Sequence, residues 1–300
     1  MNHISSRVYK NKEDSQLIFD LLTRVRPAKF RWEYPTKTDL EEHLASSKIQ
    51  ARTRLWFDED RLIAWAYVDD FRNLLWEIER PYDQDFGDEI IDWGVLSVRL
   101  MNSNTDDDTL DTSCREDDVE RIEFLEKHGF QQTENITVHM ERDLAQPVSK
   151  PELSKGFVIR PIKGFEEAEA IASLHRLAFS TGYMTAENRL AIMKTSDYDP
   201  SLDLIAVAPN GTLAAYCTCS VNLKDRIGST DPVATHPNYQ RLGLARALLL
   251  TGLSLLKERG MHSASLGTDG NNIAMQKAAE SVGFKILHKI IWFEKRIISK

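Results

Sequence analysis

Apolar positions along this 300-residue chain recur with two periods, about 3.6 and about 2, and the two alternate from one end to the other. The spacing of Leu17, Ile18, Leu21, Leu22 and Val25 predicts a helix over residues 14–25, with Asp14 capping its start and Pro27 following its end. Residues 7–10 form a short strand candidate ahead of it, and residues 40–46 a shorter second helix. Residues 54–57 and 62–68 flank the polar turn Asp58-Glu59-Asp60 and read as a hairpin, and 74–79 as the next strand. A helix over 88–101, a strand over 109–114, a helix over 119–127 and a strand over 135–140 complete this half. Gly129-Phe130 closes the last of these helices.

Residues 144–156 contain Pro147 and Pro151 and no apolar period, the composition of a linker. Beyond it the series restarts. Strand 157–161 leads to helix 166–179 and a short helix over 186–194. Strands 204–208 and 213–219 flank Pro209-Asn210-Gly211, a hairpin signal. Strand 227–235, the long helix 244–259, strand 263–268, helix 272–282 and strand 290–295 follow. The pattern predicts two tandem domains, 1–145 and 157–300, joined by 146–156. Each is of mixed α/β (α+β) class, with a mainly antiparallel twisted sheet flanked by helices. Gly283-Phe284 repeats the Gly129-Phe130 ending, a short sign of internal repetition.

Composition narrows the function. Charged residues are 28% and apolar ones 42%, the balance of a globular chain. A net charge of −8 argues against a phosphate-backbone partner and suits a cationic acceptor such as an amine. Cys114, Cys217 and Cys219 make neither a disulfide framework nor a zinc site, which points to a reducing compartment. The N-terminal residues lack an apolar run, and the most apolar helical stretch, 242–256, is interrupted by Arg246. A cytoplasmic protein with no membrane partner is expected. Asp106-Asp107-Asp108 and Glu116-Asp117-Asp118 lack the alternating ligands and turn glycine of a calcium loop, so no metal is expected.

The chemistry concentrates at Val233-Ala234-Thr235-His236-Pro237-Asn238-Tyr239-Gln240-Arg241-Leu242-Gly243-Leu244-Ala245. A strand stops at a Pro-Asn turn, and a glycine opens a long helix. Free N–H groups of a helix N-terminus then lie just past a strand end, where helix polarity favours an anion. Gly243 has no Cβ to keep a diphosphate away, Ala245 keeps the surface small, and Arg241 adds a positive charge. The stretch Gln240 to Ala245 resembles the Gln/Arg-x-x-Gly-x-Gly/Ala acyl-CoA signature of the GNAT acetyltransferase superfamily. Asn272 and Gly283-Phe284 sit where that family has its second motif, and the element order of each half is similar to the family's own. The resemblance implies acetyl-CoA as co-substrate, held by Gln240, Arg241, Leu242, Gly243, Leu244, Ala245 and Asn272. It also implies a backbone N–H donor to the thioester carbonyl among Val233, Ala234 and Thr235.

Direct transfer to an amine needs a base, because an alkyl ammonium has a pKa near ~10. Asp231 stands where related sequences often carry a carboxylate and is the candidate; its alternative role is to hydrogen-bond the strand end. His236, a turn histidine before proline, is a candidate base or a local hydrogen-bonder. Family members often carry a tyrosine four residues before the glycine of Gly-Phe, as the acid for the leaving thiolate; here that position is Ala279. Tyr216, Tyr239 or water remain for that task, and the thiolate's pKa of roughly 8.5 lessens the demand. Two functions stay open: an acetyltransferase acting on a small-molecule or peptide amine, and a non-catalytic acyl-CoA-binding or interaction module. The first half has no matching phosphate loop. Asp83, Gln84 and Asp85 stand at that place and would repel an anion, so the resemblance there is to a degenerate module.

Overall fold

The computed structural model describes residues 4–27, 30, 33–79, 84–101 and 108–297, and for residues 84 and 85 the backbone only. Residues 80–83 and 102–107 lie outside the described residues, and with them Asp83 and most of Asp106-Asp107-Asp108, whereas Gln84 and Asp85 open the helix Gln84–Arg99. The chain divides into Met1–Ile136 with Lys289–Lys300 (unit 1), and Thr137–His288 (unit 2).

Unit 1 runs β1 (Ile4–Val8), α1 (Lys12–Val25), α2 (Lys37–His43), α3 (Ser47–Ala51), β2 (Thr53–Asp58), β3 (Arg61–Val68) and β4 (Leu74–Ile78). It continues through α4 (Gln84–Arg99), β5 (Thr109–Arg115), α5 (Val119–Lys127) and the first half of β6 (Gln131–Asp143). Strands β1 to β4 form an antiparallel meander. Strand β5 pairs with Ile290–Arg296 of β12 (Lys285–Arg296). One face of the meander buries Trp56, Ala66 and Trp76 against Ile90 of α4, and the other buries Leu55, Trp65 and Tyr67 against Ile18, Leu21 and Leu22 of α1.

Unit 2 repeats the order: β7 (Val158–Pro161), α6 (Ala168–Phe179), α7 (Ala186–Ile192), β8 (Asp203–Val207), β9 (Leu213–Asn222), β10 (Ile227–Thr235), α8 (Leu244–Glu258), β11 (Ser263–Asp269) and α9 (Ile273–Glu280). Its strands lie in the order β7, β8, β9, β10, β11, β6. All neighbours are antiparallel except β10 and β11. Ile171 and Leu174 of α6 pack with Ile205, Tyr216 and Ala234 on one face. The other face carries α8, which buries Leu248, Leu249, Leu253 and Leu256.

Composition places the break in the chain at 146–156, whereas the compact units part within β6 and within β12. The two differ because composition marks where regular structure lapses. A long strand belongs to whichever neighbours it hydrogen-bonds, and those are remote in sequence.

Helix α1 begins at Lys12 with Asn11 at its cap position, so Asp14 does not cap it. Asp14 is instead buried and accepts two hydrogen bonds from Arg7, at 2.7 and 2.6 Å, and one from the Lys10 N–H at 2.7 Å. Glu167 does the same in unit 2, taking Arg160 at 2.9 and 2.5 Å and the Lys163 N–H at 2.8 Å. The Gly-Phe endings also match in structure. Gly129 and Gly283 have φ of 79° and 93°, and the N–H of Phe130 and Phe284 donates to Leu125 and Ala279 carbonyls. Both duplicated features support an internal repeat. Among the described residues, no helix is long and apolar enough to cross a membrane, and no cluster of three or more His, Cys, Asp or Glu could hold a metal ion.

Candidate active site

Strands β10 and β11 run parallel and pair only from Ile227↔Ser263 to Ser229↔Ser265. Beyond Ser229 they part. Strand β10 stays on β9, with a register break between Thr230 and Val233, at Asp231-Pro232. Pairing resumes as Val233↔Cys217, Ala234↔Tyr216 and Thr235↔Ala215, and the His236 N–H donates to the Ala214 carbonyl at 2.9 Å. Hydrogen bonding alternates along an antiparallel ladder. The N–H groups of Val233 and Thr235 therefore turn away from β9, toward the gap that β11 has left. Ala234 has its side chain buried in the α6 core.

The loop after β10 is shaped for an anion. Arg241 has φ of 64° and Gly243 φ of 75°, so two left-handed residues flank Leu242. Alternating backbone of this kind turns successive N–H groups inward. Gly243 is the N-cap of α8 and supplies no side-chain cap. The first intrahelical bond is from the Ala247 N–H to Gly243, at 3.0 Å, so the N–H groups of Leu244, Ala245 and Arg246 have no partner within the helix. A Cβ built on Gly243 meets no atom within 4 Å, so open space lies in front of this turn. Gln240, Arg241, Leu242 and Gly243 are exposed, Ala245 is half-buried, and Leu244 is buried and anchors the helix start to the core. From the linker stretch, Ser154 Oγ donates to the Leu242 carbonyl at 3.2 Å and steadies the loop. The cradle fits a diphosphate.

Asp231 is exposed at the register break, and its Oδ2 lies 3.4 Å from the position a Cβ on Gly267 of β11 would take. The carboxylate thus reaches across the gap between the two parallel strands. Asn272 stands at the start of α9, where its Oδ1 accepts the Met275 N–H at 3.1 Å. Helices α8 and α9 follow the C-terminal ends of the parallel strands β10 and β11, so their N-termini share one end of the sheet. His236 accepts the Asn238 N–H at Nδ1, 3.1 Å away, and caps the turn over 237–239. Ala279 is fully buried and offers no hydroxyl. The Tyr239 hydroxyl is hydrogen-bonded to Asn210 at 3.2 Å, beside the phosphate loop. Tyr216 is fully buried, and burial pushes its hydroxyl above the ordinary range.

The Tyr216 hydroxyl shares a 2.6 Å hydrogen bond with His175 Nδ1 of α6. Burial, with Arg189 and Arg176 adding positive charge nearby, lowers the His175 pKa to about 4. In the unfolded chain it returns to roughly 6.5. Above that pH neither state is protonated. Below it the unfolded chain gains a proton that the folded chain refuses, so stability falls as pH drops from about 6.5 toward 4, by at most about 3 kcal/mol. His175→Gln is expected to flatten this part of the stability curve, measured as urea midpoints at pH 7 and 4.5. An unchanged difference between the two midpoints would remove His175 as the cause.

The model of the acetyltransferase (GNAT) family matches residues 168–284, from the start of α6 to the end of the Gly-Phe turn. A mycothiol acetyltransferase of Thermobispora bispora is 30% identical over 254 residues, covering 78% of this chain and 80% of that protein. One of Kineococcus radiotolerans is 32% identical over 154 residues, and there the match spans about half of either chain, 49% of each. In fold, the chain is similar to a tandem GNAT protein from the clavulanic acid biosynthesis pathway, with a TM-score of 0.74 at 14% identity and 99% of both chains covered. The parted parallel strands, the left-handed loop and a relative matched over four-fifths of its length have one reading in common: the chain belongs to the GNAT family of acetyltransferases.

Proposed function

We propose that unit 2 moves an acetyl group from acetyl-CoA to the primary amine of a small molecule, by direct attack of the amine on the thioester. The observation that carries this reading is the pairing of a left-handed, open-fronted loop at Arg241 and Gly243 with the gap between β10 and β11. In it, the backbone from Gln240 to Ala245 holds the diphosphate, with Arg241 adding charge. Val233 and Thr235 offer N–H groups along the gap, one of them to the thioester oxygen as charge develops there. Asp231 removes a proton from the acceptor ammonium, directly or through water. Ala279 supplies no acid, and a thiolate with a pKa of roughly 8.5 leaves without one. Asn272 borders the same end of the sheet. The name of the relatives, mycothiol acetyltransferase, supports a small-molecule acceptor. The reducing compartment suggested by three buried, free cysteines is the cytoplasm.

Thiol release from acetyl-CoA with a panel of amines tests the proposal. Asp231→Asn is expected to lower kcat/KM about 10- to 100-fold at pH 7 and less at pH 9, where more of the amine is already neutral. Coenzyme A affinity in calorimetry should not change. A pH–rate profile identical to the wild type would exclude Asp231 as the base. Thiol release that is flat with every amine, with coenzyme A still bound, would favour a binding-only module, the reading to which the buried Ala279 lends support.

A further inference from the structure

A row of residues crosses unit 2 beside the gap. Gly267 of β11 lies directly opposite His139 of β6, so both face the same side of the sheet. His139 stacks on His288 of β12, with ring centroids 5.0 Å apart and an angle of 16°. From the other side, Asp231 Oδ2 reaches to 3.4 Å from the missing Cβ of Gly267. A directly opposite pair has Cβ positions about 5 Å apart, so the Cβ of His139 and the Asp231 carboxylate flank the clear space above Gly267 from opposite sides. Both histidines are more than nine-tenths buried. Glu141, Asp143 and Asp269 are the other ionisable residues on this face of β6 and β11; the Asp143 carboxylate accepts the Ala145 N–H at 2.8 Å and the Asp269 carboxylate the Asn271 N–H at 2.7 Å. Strand β12 adds Ile286, two residues before His288. Tyr216 of β9, with its partner His175 of α6, borders the same face.

The geometry points to His139, backed by His288, as the positioning partner of Asp231: the proton that Asp231 takes from the acceptor ammonium passes on to His139, across the space kept clear by Gly267. The step is a proton transfer alone. The ammonium N–H bond breaks, the carboxylate holds the proton, the imidazole nitrogen takes it, and the amine lone pair is left to attack. This inference rests on the acetyl-transfer reading of the same site.

Its test begins with the free full-length protein, whose histidine ring signals are followed by NMR from pH 4 to 9 and assigned with His139→Gln and His288→Gln. Asp231→Asn is expected to lower the His139 midpoint by half a unit or more, because a neighbouring carboxylate favours the charged imidazole. The midpoint of His262, beside Arg226 at the far end of β11, should stay fixed. Gly267→Val should also move the His139 midpoint, and Gly267→Ala less so. A His139 midpoint that ignores both Asp231→Asn and Gly267→Val overturns the proposal. In thiol release, His139→Gln should lower kcat with coenzyme A affinity unchanged; a wild-type kcat and pH profile in that variant also overturns it. Failure of the wild-type protein to bind coenzyme A would instead sink the acetyl-transfer reading.

Discussion

Gly243→Glu is expected to abolish coenzyme A binding, raising Kd at least about 100-fold, or roughly 2.7 kcal/mol. Three effects add. The backbone at 243 has φ of 75°, and forcing an L residue into the left-handed region costs about 1–2 kcal/mol. The new side chain would project into the open space in front of the loop, which extends at least 4 Å from a Cβ. A carboxylate there satisfies the unpartnered N–H groups of α8 itself and repels a diphosphate at the same place. The same open space means that the fold has little to lose, so the thermal midpoint should move by only a few degrees. Gly243→Ala separates the effects, since it carries the backbone cost without charge or reach. Titration calorimetry with coenzyme A reads the result, and an unchanged affinity in the glutamate variant would remove this loop from the binding site.

Arg189→Met is expected to destabilise the protein by about 3–5 kcal/mol. Arg189 and Asp203 form an ion pair with side chains only 3% and 0% exposed. Asp203 also accepts the Tyr198 hydroxyl at 2.6 Å and the Thr218 hydroxyl at 3.1 Å. Removing the guanidinium leaves a carboxylate in the interior with two neutral donors and no counter-charge. The double variant Arg189→Met, Asp203→Leu should recover much of the loss, because a buried pair replaced by apolar groups of similar size costs far less than a broken one. Urea unfolding followed by circular dichroism gives both values. A loss below about 1 kcal/mol for the single variant would mean that water reaches Asp203 and screens it. The pair ties α7 to β8, with the guanidinium carbon 5.9 Å from the centre of the Tyr216 ring.

Much of this was legible along the chain. The period of Leu17 to Val25 gave a helix, and the alternation about Asp58-Glu59-Asp60 gave a hairpin, since both depend on contacts within a few residues. The loop from Gln240 to Ala245 was readable for the same reason: a strand end, a left-handed glycine and a helix start are adjacent in sequence. Elsewhere local signals misled or fell silent. Asp14 looks like a cap because acids favour helix starts, yet Arg7 and the Lys10 N–H hold it as a buried clamp. Helix α3 leaves no mark in the sequence because five residues are too few to show a period. Tyr216 carries no sign in its sequence context that it will be sealed against His175.

By itself, then, the sequence determined the kinds and order of the elements, the duplicated plan and the turn that joins β10 to α8, all of which follow from backbone preferences and side-chain spacing over a turn or two. The tertiary structure alone decided which strand ends joined which unit, where β10 leaves β11, and that Asp231, Gly267, His139 and His288 share one row. Register between strands more than a hundred residues apart is set by the packing of both sheet faces at once, and no local pattern carries that information.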